Sequence, residues 1–479
     1  MQKRICLLIP VLLFIFAFFV GFQPTVFGTT LPMDTEKLPP SGSRLLIVAP
    51  HCDDETLGAG ILMHEAVKLG YQVKVVVVTN GDGYAYAVDR DFYTLHPTNK
   101  EFVEFGMRRQ AESISALRVL GVPRENIVFL GFPDKGIARL WSEYWDEDER
   151  FYSRYTGSST NPYPNTFEFN VPYNGISLLK DLNKIINDFR PTDIYYPHPN
   201  DLHPDHWAVN AFVRYLLELK DLNKTRQHLY IIHHSKWPAP KLPQPSQPMT
   251  PPSQLINTGT IWRDFDYSPK EANLKASAIL HYVTQVRVMK GFLLSFTRNS
   301  ELFGSLPDFP IPHLPKLAEI KEETSKTAAI RDPVGNTVAL RVNKSADLKE
   351  VNSYISDRKW IIDIHTVAPV NPKVVYEVHA RVFSNLNSVS RFDIQIKQNR
   401  IIWRFYASNS VIDLPGAFAE INHGGYRIVI PIEAIPNSKS VFLNIDTLLN
   451  NFKLDKTAWR VLRFPVPLTK KQQVNAIGE

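Results

Sequence analysis

The chain has 479 residues, 44% of them apolar, with a formal net charge of +6 and two cysteines. That length exceeds one ordinary domain, and that composition belongs to a globular protein rather than a disordered or collagen-like one. Lys and Arg are scattered instead of clustered, which argues against a nucleic-acid-binding stripe.

At the N-terminus, Lys3 and Arg4 precede an apolar run from Ile5 to Phe22, with Val26-Phe27-Gly28 as a cleavage tripeptide. The pattern predicts a signal peptide or an uncleaved membrane anchor over 1–28, which puts the body of the protein outside the cytoplasm, secreted or anchored. Residues 29–42, rich in Thr, Pro, Gly and Ser, read as a disordered leader. Cys6 lies in the apolar segment, so a cleaved chain keeps only Cys52 and no internal disulfide.

From residue 43 to 295 strand and helix patterns alternate, as in a doubly wound α/β domain with a mostly parallel, Rossmann-like sheet and helices on both faces. Leu45 to Val48 is the first buried strand, and it runs into Pro50-His51-Cys52-Asp53-Asp54-Glu55. Three adjacent acids repel unless a cation, a catalytic role or the N-terminus of the next helix compensates them. A helix from Leu57 to Leu69 and a valine-rich strand from Gln72 to Thr79 follow. Next come a helix from Phe102 to Leu120, a strand from Ile127 to Leu130 and a helix from Ile176 to Phe189. The strand Thr192 to Tyr196 then delivers a second cluster, His198, Asp201, His203, Asp205 and His206, ahead of a helix from Asp205 to Leu219. Two clusters of imidazole and carboxylate, each at a strand's carboxyl end, point to a divalent-metal site. Neither Gly58-x-Gly60 nor Gly81-x-Gly83 completes a dinucleotide fingerprint.

Leu229 to His233 reads as a strand and Lys270 to Leu294 as one long helix. Residues 134–173 hold Trp141, Tyr144, Trp145, Phe151, Tyr152, Tyr155 and Tyr163. They form either a loop covering a sugar or an insertion packed on itself. The proline-dense stretch Pro238 to Pro252 excludes helix and central strand. Residues 296–330 read as a linker. Over 331–467, short alternating runs (Lys373–Val382, Ser390–Lys397, Arg400–Tyr406, Gly425–Ile432, Ser440–Ile445) predict a C-terminal β-sandwich, either carbohydrate-binding or structural.

H-C-D-D-E-T-L-G at 51–58 and H-P-D-H at 203–206, with V-V-V-V-T-N-G-D-G at 75–83, R-Q-A-E-S-I-S-A-L-R-V-L-G at 109–121 and F-L-G-F-P-D at 129–134 between them, resemble the PIG-L/LmbE family of zinc-dependent N-deacetylases. The resemblance spans about residues 43–295 and departs from the family's A-H-P-D-D-E at Cys52, where proline is usual. It implies His51, Asp54 and His206 as ligands of Zn2+ (or Fe2+), and Asp53 as general base. His203 is implied to stabilise the oxyanion, with Asp205 orienting it, and Arg109 and Asp134 to bind the sugar. Asp201 and Leu202 stand where some relatives carry a tyrosine that assists the oxyanion. Cys52 reads as a filler of the proline position, with a ligand or nucleophile as the alternative; His64, His96 and His233 read as surface or core residues. The implied activity is removal of acetyl from N-acetylglucosamine-type glycans or glycoconjugates at the cell surface or beyond, with no nucleic-acid partner and membrane contact only through an uncleaved N-terminal segment. A non-catalytic glycan-binding protein and a metal-dependent amidase or esterase on another substrate are the alternatives.

Overall fold

Short runs of consecutive apolar and β-branched residues bury both faces, which suits the inner strands of a parallel sheet. The structure, a computed structural model, describes residues 33–222, 224–314, 327–384, 388–398, 400–405 and 416–465. The expected signal or anchor segment lies outside them.

One eight-stranded sheet is formed by β1 (Asp34–Thr35), β2 (Arg44–Ala49), β3 (Gln72–Thr79), β4 (Ile127–Phe132), β5 (Asp193–Pro197), β6 (Arg226–Tyr230), β7 (Ile261–Asp266) and β8 (Ser300–Ser305). Its order is β1-β7-β8-β6-β5-β2-β3-β4. The five strands from β6 to β4 are mutually parallel, and β8 runs antiparallel between β6 and β7. The chain builds outward from β2 to β4, then returns to lay β5 on the other side of β2. The carboxyl ends of β2 and β5 therefore flank the switch point, where such sheets hold ligands.

The helices of this part are α1 (Asp54–Lys68), α2 (Ala85–Phe92), α3 (Asn99–Val119), α4 (Ile137–Ser142), α5 (Gly175–Phe189), α6 (Pro204–Leu219), α7 (Pro269–Ile279) and α8 (Val283–Leu294). Strand alternation divides the core. Leu46, Val48, Val76 and Val78 pack with α5 and α6, while Leu45, Ile47, Val75 and Val77 are buried on the other side, where α1 lies against β2 and β3.

Several sequence expectations change here. The leader is not wholly irregular, because Asp34–Thr35 pairs with β7. The long helix from Lys270 is two helices, α7 and α8, parted at Leu280–Tyr282. The linker contains β8, which supplies the fully internal Glu301. Helix α1 breaks at Ala59 (φ −145°, ψ 26°), and Glu301 accepts from Ile61 N (2.8 Å) and Leu62 N (2.9 Å) just beyond. Lys275 Nζ joins Glu301 at 2.7 Å and Leu57 O at 2.8 Å. Both charges are almost fully buried, so removing one strands the other. Glu301→Gln is expected to destabilise the protein by about 3–5 kcal/mol, read as a lower urea midpoint; an unchanged midpoint would contradict this account of the break.

The C-terminal part consists of β9 (Phe309–Pro310), β10 (Ala328–Arg331), α9 (Val338–Val342), β11 (Leu348–Ser356), β12 (Lys359–Thr366), β13 (Val374–Ser384), β14 (Val389–Lys397), β15 (Arg400–Phe405), β16 (Phe418–Asn422), β17 (Gly425–Pro431), β18 (Ser438–Leu449), β19 (Phe452–Lys456) and β20 (Arg460–Arg463). One sheet is β10-β11-β12-β17-β16, and the other is β15-β14-β13-β18-β20-β9 with β19 on β18. Trp360, Ile362 and Ile428 of the first meet Tyr376, Val378, Ile394 and Leu443 of the second in one core, which makes a sandwich.

This sandwich packs directly on the α/β part. Trp141 packs edge-on against Trp459 (5.2 Å between ring centroids) and Phe442 (6.0 Å). Glu218, in the last turn of α6, takes a bidentate grip from Arg463 (2.7 and 2.8 Å) and a hydroxyl from Ser440 (2.5 Å). Much of the aromatic segment 134–173 is thus core: Trp141, Trp145, Tyr163 and Tyr173 are buried.

Candidate active site

Two helix N-termini converge at the switch point. Acids at the start of α1 and α6 suit the positive end of the helix dipole, and Pro204 at the first turn of α6 has no N–H to leave unpaired. His51 follows β2, Asp54 opens α1, and His206 lies in the first turn of α6. Their ligand atoms form a near-equilateral triangle. His51 Nδ1 is 3.2 Å from Asp54 Oδ2 and 3.2 Å from His206 Nε2, and His206 Nε2 is 3.1 Å from Asp54 Oδ2.

Atoms bound about 2.0–2.1 Å from a tetrahedral zinc lie roughly 3.3 Å apart, so the triangle fits such an ion. Overlapping groups, His51/His203/His206, Asp54/His206/His233 and His51/Asp134/Asp205, also converge within 4.8 Å. In the last of these, Asp134 and Asp205 meet His51 through its other nitrogen.

Charge gives the same answer. Burial pushes His206 down, but Asp201 and Asp54 outweigh it and hold the imidazole up at about 9. His51 is likewise raised, burial being outweighed by Asp134, Asp205 and Asp54. Burial would raise Asp54, yet His206 and His51 hold its carboxyl well below the usual range. The buried carboxylates thus call for two positive charges, which one divalent ion supplies in place of two imidazolium protons.

Outer contacts orient the ligands. His206 Nδ1 meets Asp201 Oδ2 at 3.2 Å, and Asp201 also accepts from the N–H groups of His203, Ile232 and His233. His51 Nε2 meets Asp205 Oδ2 at 3.2 Å and Asp134 Oδ1 at 3.3 Å. A carboxylate behind each histidine is the usual companion of a metal-bound imidazole. Asp205 was expected to orient His203; its carboxylate holds His51 instead and is fixed by the N–H of Lys135 (2.7 Å) and of Ile137 (3.0 Å). Only its backbone N–H reaches His203, at Nδ1 (3.3 Å).

Asp53 sits between the two halves of the first motif with φ at +141°. A side-chain-bearing residue there stores of order 1–3 kcal/mol. Its N–H is held by Glu55 Oε2 (3.0 Å), and Glu55 is anchored by Ser113 (2.5 Å) and Tyr282 (2.8 Å). Its carboxylate meets Arg109 Nη2 at 3.2 Å. Burial pushes the Asp53 carboxyl up to about 8, against Arg109, which lowers it; a divalent ion alongside lowers it further. Arg109 also donates to Gly81 O (2.9 Å) and Cys52 O (2.5 Å). It therefore fixes Asp53, while Glu112, three residues on, accepts from Thr284. Gly81 is required here: at φ +64°, a Cβ would fall 1.6 Å from Arg109 Nη1.

Asp134 accepts from Gly83 N (2.8 Å) as well as facing His51. Its carboxyl stays low, because His51, His203 and Lys135 outweigh burial. Cys52 is fully buried, and burial raises its thiol well above the ordinary value; it fills space. His198, part of the second cluster, is a packing residue, bonded to Thr260 (2.9 Å) and stacked on Trp262.

A cavity of about 290 Å³ opens onto these groups, with Tyr84, Lys135, His203, His233, Gln285 and Phe292 in its wall. His203 accepts the Asp205 N–H at Nδ1, so when neutral it carries its proton on Nε2. Burial and the neighbouring His51 and His206 keep it neutral, near 4. His233 was not expected here; it comes from the end of β6, stacks on Phe292 and faces His206 edge-on. The strand end at the same sheet edge was the one signal for it. A roomier cavity of about 450 Å³ lies where Arg214, Asp308 and Arg463 meet, but it brings together no histidine–carboxylate cluster.

Fold and site together define a Rossmann-like α/β domain with a histidine–carboxylate centre of hydrolase type. Residues 46–217 match the family described as PIG-L, GlcNAc-PI de-N-acetylase. Every predicted site residue falls within that stretch, whereas His233 and the α8 wall lie beyond it. Solved structures with partial similarity include the N,N'-diacetylchitobiose deacetylase from Pyrococcus horikoshii (19% identity, 56% of this chain, 85% of that one, TM-score 0.34). A deacetylase of teicoplanin biosynthesis matches at 18% identity, over 55% of this chain and 97% of that one, with a TM-score of 0.36. The 4-carboxy-2-hydroxymuconate hydratase from Pseudomonas putida matches at 14% identity, 52% and 82% coverage and a TM-score of 0.32. No curated protein matches the chain.

Proposed function

We propose that the protein is a metal-dependent hydrolase that removes the acetyl group from N-acetylglucosamine-type glycans or glycoconjugates. The observation that carries this is the His51–Asp54–His206 triangle with a separate carboxylate, Asp53, held beside it in the same cavity. A divalent ion in that triangle, Zn2+ or Fe2+, supplies Lewis acidity and an acidified water.

The chain's own groups do the rest. Asp53 accepts the proton of the water that attacks the acetyl carbon and returns it to the nitrogen as the C–N bond breaks, releasing acetate and the free amine. Arg109 keeps that carboxylate aimed. His203 donates from Nε2 to the carbonyl oxygen as it gains negative charge. Gln285 lines the same cavity. Tyr84, Met289 and Phe292 provide an apolar wall for one face of a pyranose. The basic and apolar N-terminal segment (Lys3, Arg4, Ile5 to Phe22) supports a substrate outside the cytoplasm.

Acetate release from a panel of N-acetylglucosamine oligomers, lipid-linked N-acetylglucosamine, N-acetyl peptides and simple acetate esters tests the reading. Release from the acetylated sugars is expected; cleavage confined to peptides or esters would overturn it.

A further inference from the structure

The loop between β10 and α9 and the strand β19 place a second set of oxygen donors on one cavity, apart from the His51–Asp54–His206 triangle. Asp332 is 92% buried (8% exposed), and neither of its carboxylate oxygens has a hydrogen-bond partner. The side-chain oxygen of Asn336, four residues on, is also buried without one. Both residues line a cavity of about 380 Å³ together with Asp455. Asp455 is anchored through the N–H groups of Leu348 (2.8 Å) and Lys456 (2.9 Å), each of its oxygens keeping a further lone pair. Asp347 shapes the loop, accepting Gly335 N at 3.1 and 3.0 Å.

A buried carboxylate with both oxygens unpaired is costly, and native proteins rarely keep one without an ion or a water to satisfy it. No protein cation does so here. Lys456 also lines the cavity, but its ammonium donates to Thr457 O (3.2 Å) and lies over the Trp207 ring (4.3 Å). Lys453 pairs with Asp446. Among the described residues no ion pair to Asp332 occurs.

We propose that Asp332, Asn336 and Asp455 form a calcium site. These three residues offer carboxylate and amide oxygens, the donors of a hard cation; His234, whose Nδ1 also lacks a partner, lines the same cavity. Ca2+ accepts the irregular geometry and completes its six to eight positions with water, whereas Mg2+ demands a near-regular octahedron. Burial, Asp455 and Asp347 push the Asp332 carboxyl well above its ordinary value despite Lys456, and burial holds Asp455 up at about 7; a bound cation reverses both. The same cavity is walled by Asp201 and Leu202 of the histidine-bearing loop, so the ion pins the sandwich beside the active site.

The inference stands apart from the deacetylase reading and is tested without activity. The full chain, stripped with chelator and resupplied with Zn2+, is titrated with CaCl2 by calorimetry and by thermal melting. One equivalent of Ca2+ is expected, with Tm rising by about 3 °C or more at a hundredfold excess over Kd. Asp332→Asn should abolish the response while melting no lower than the parent in calcium-free buffer, since the amide replaces a buried carboxyl that has no hydrogen-bond partner there. Asn336→Ala should weaken binding at least about tenfold, and His206→Ala should respond as the parent does. Absence of Ca2+ binding in the parent, or undiminished binding in both Asp332→Asn and Asn336→Ala, would overturn the proposal.

Discussion

His206→Ala is expected to lose its bound metal while keeping its fold, and to lower kcat by at least about 10³-fold. His206 supplies one corner of the triangle, and its Nε2 is the atom that both His51 and Asp54 face, at 3.2 and 3.1 Å. Two ligands bind an exchangeable ion far more weakly than three, and Lewis-acid assistance worth several kcal/mol disappears with the ion; about 4 kcal/mol corresponds to the stated factor. The space left is lined by polar groups (His51, Asp54, Asp201 and His233) that water can satisfy, so circular dichroism and melting should show a folded protein. Elemental analysis of the purified variant is the check. Stoichiometric metal in His206→Ala would remove this residue from the centre.

Asp53→Asn is expected to keep metal and fold but lose about 10²- to 10⁴-fold in kcat, the range for removing a positioned general base. The amide preserves the side chain's shape and its place beside Arg109, yet it cannot accept the water proton. Glu55 is no substitute: its oxygens already hold Asp53 N, Ser113 and Tyr282. Single-turnover acetate release measures the chemical step directly. A rate within a few-fold of the parent would take the base role from Asp53.

These two residues were legible because local chemistry announces them. Consecutive acids after a buried strand, and a histidine–proline–acid–histidine run after another, can be read from short stretches. The strands themselves follow from valine and isoleucine runs, as with Gln72–Thr79, which the structure reproduces with the same bounds. What was hidden depends on partners far away in sequence. Glu301 looks like one acid in a polar stretch until the break at Ala59 in α1 and the ammonium of Lys275 surround it. The expected long helix is parted at Leu280–Tyr282, and the Tyr282 hydroxyl bonds to Glu55 and Thr56 across the fold. For Trp141 and Trp145 the sequence left a sugar-covering loop and a self-packed insertion open; their partners, Phe212 within α6 and Trp459 in the sandwich, lie far along the chain. His233 carried no motif at all. The role of Asp205 was misplaced because spacing alone does not tell which of two histidines a carboxylate will face.

The most direct test of the central claim is metal reconstitution. The full chain is stripped of metal, and acetate release from an N-acetylglucosamine oligomer is followed as Zn2+ or Fe2+ is returned. Activity should be absent in the stripped protein and recover in proportion to metal up to one equivalent, with no recovery in His206→Ala. Undiminished deacetylation by the fully stripped chain would contradict the account.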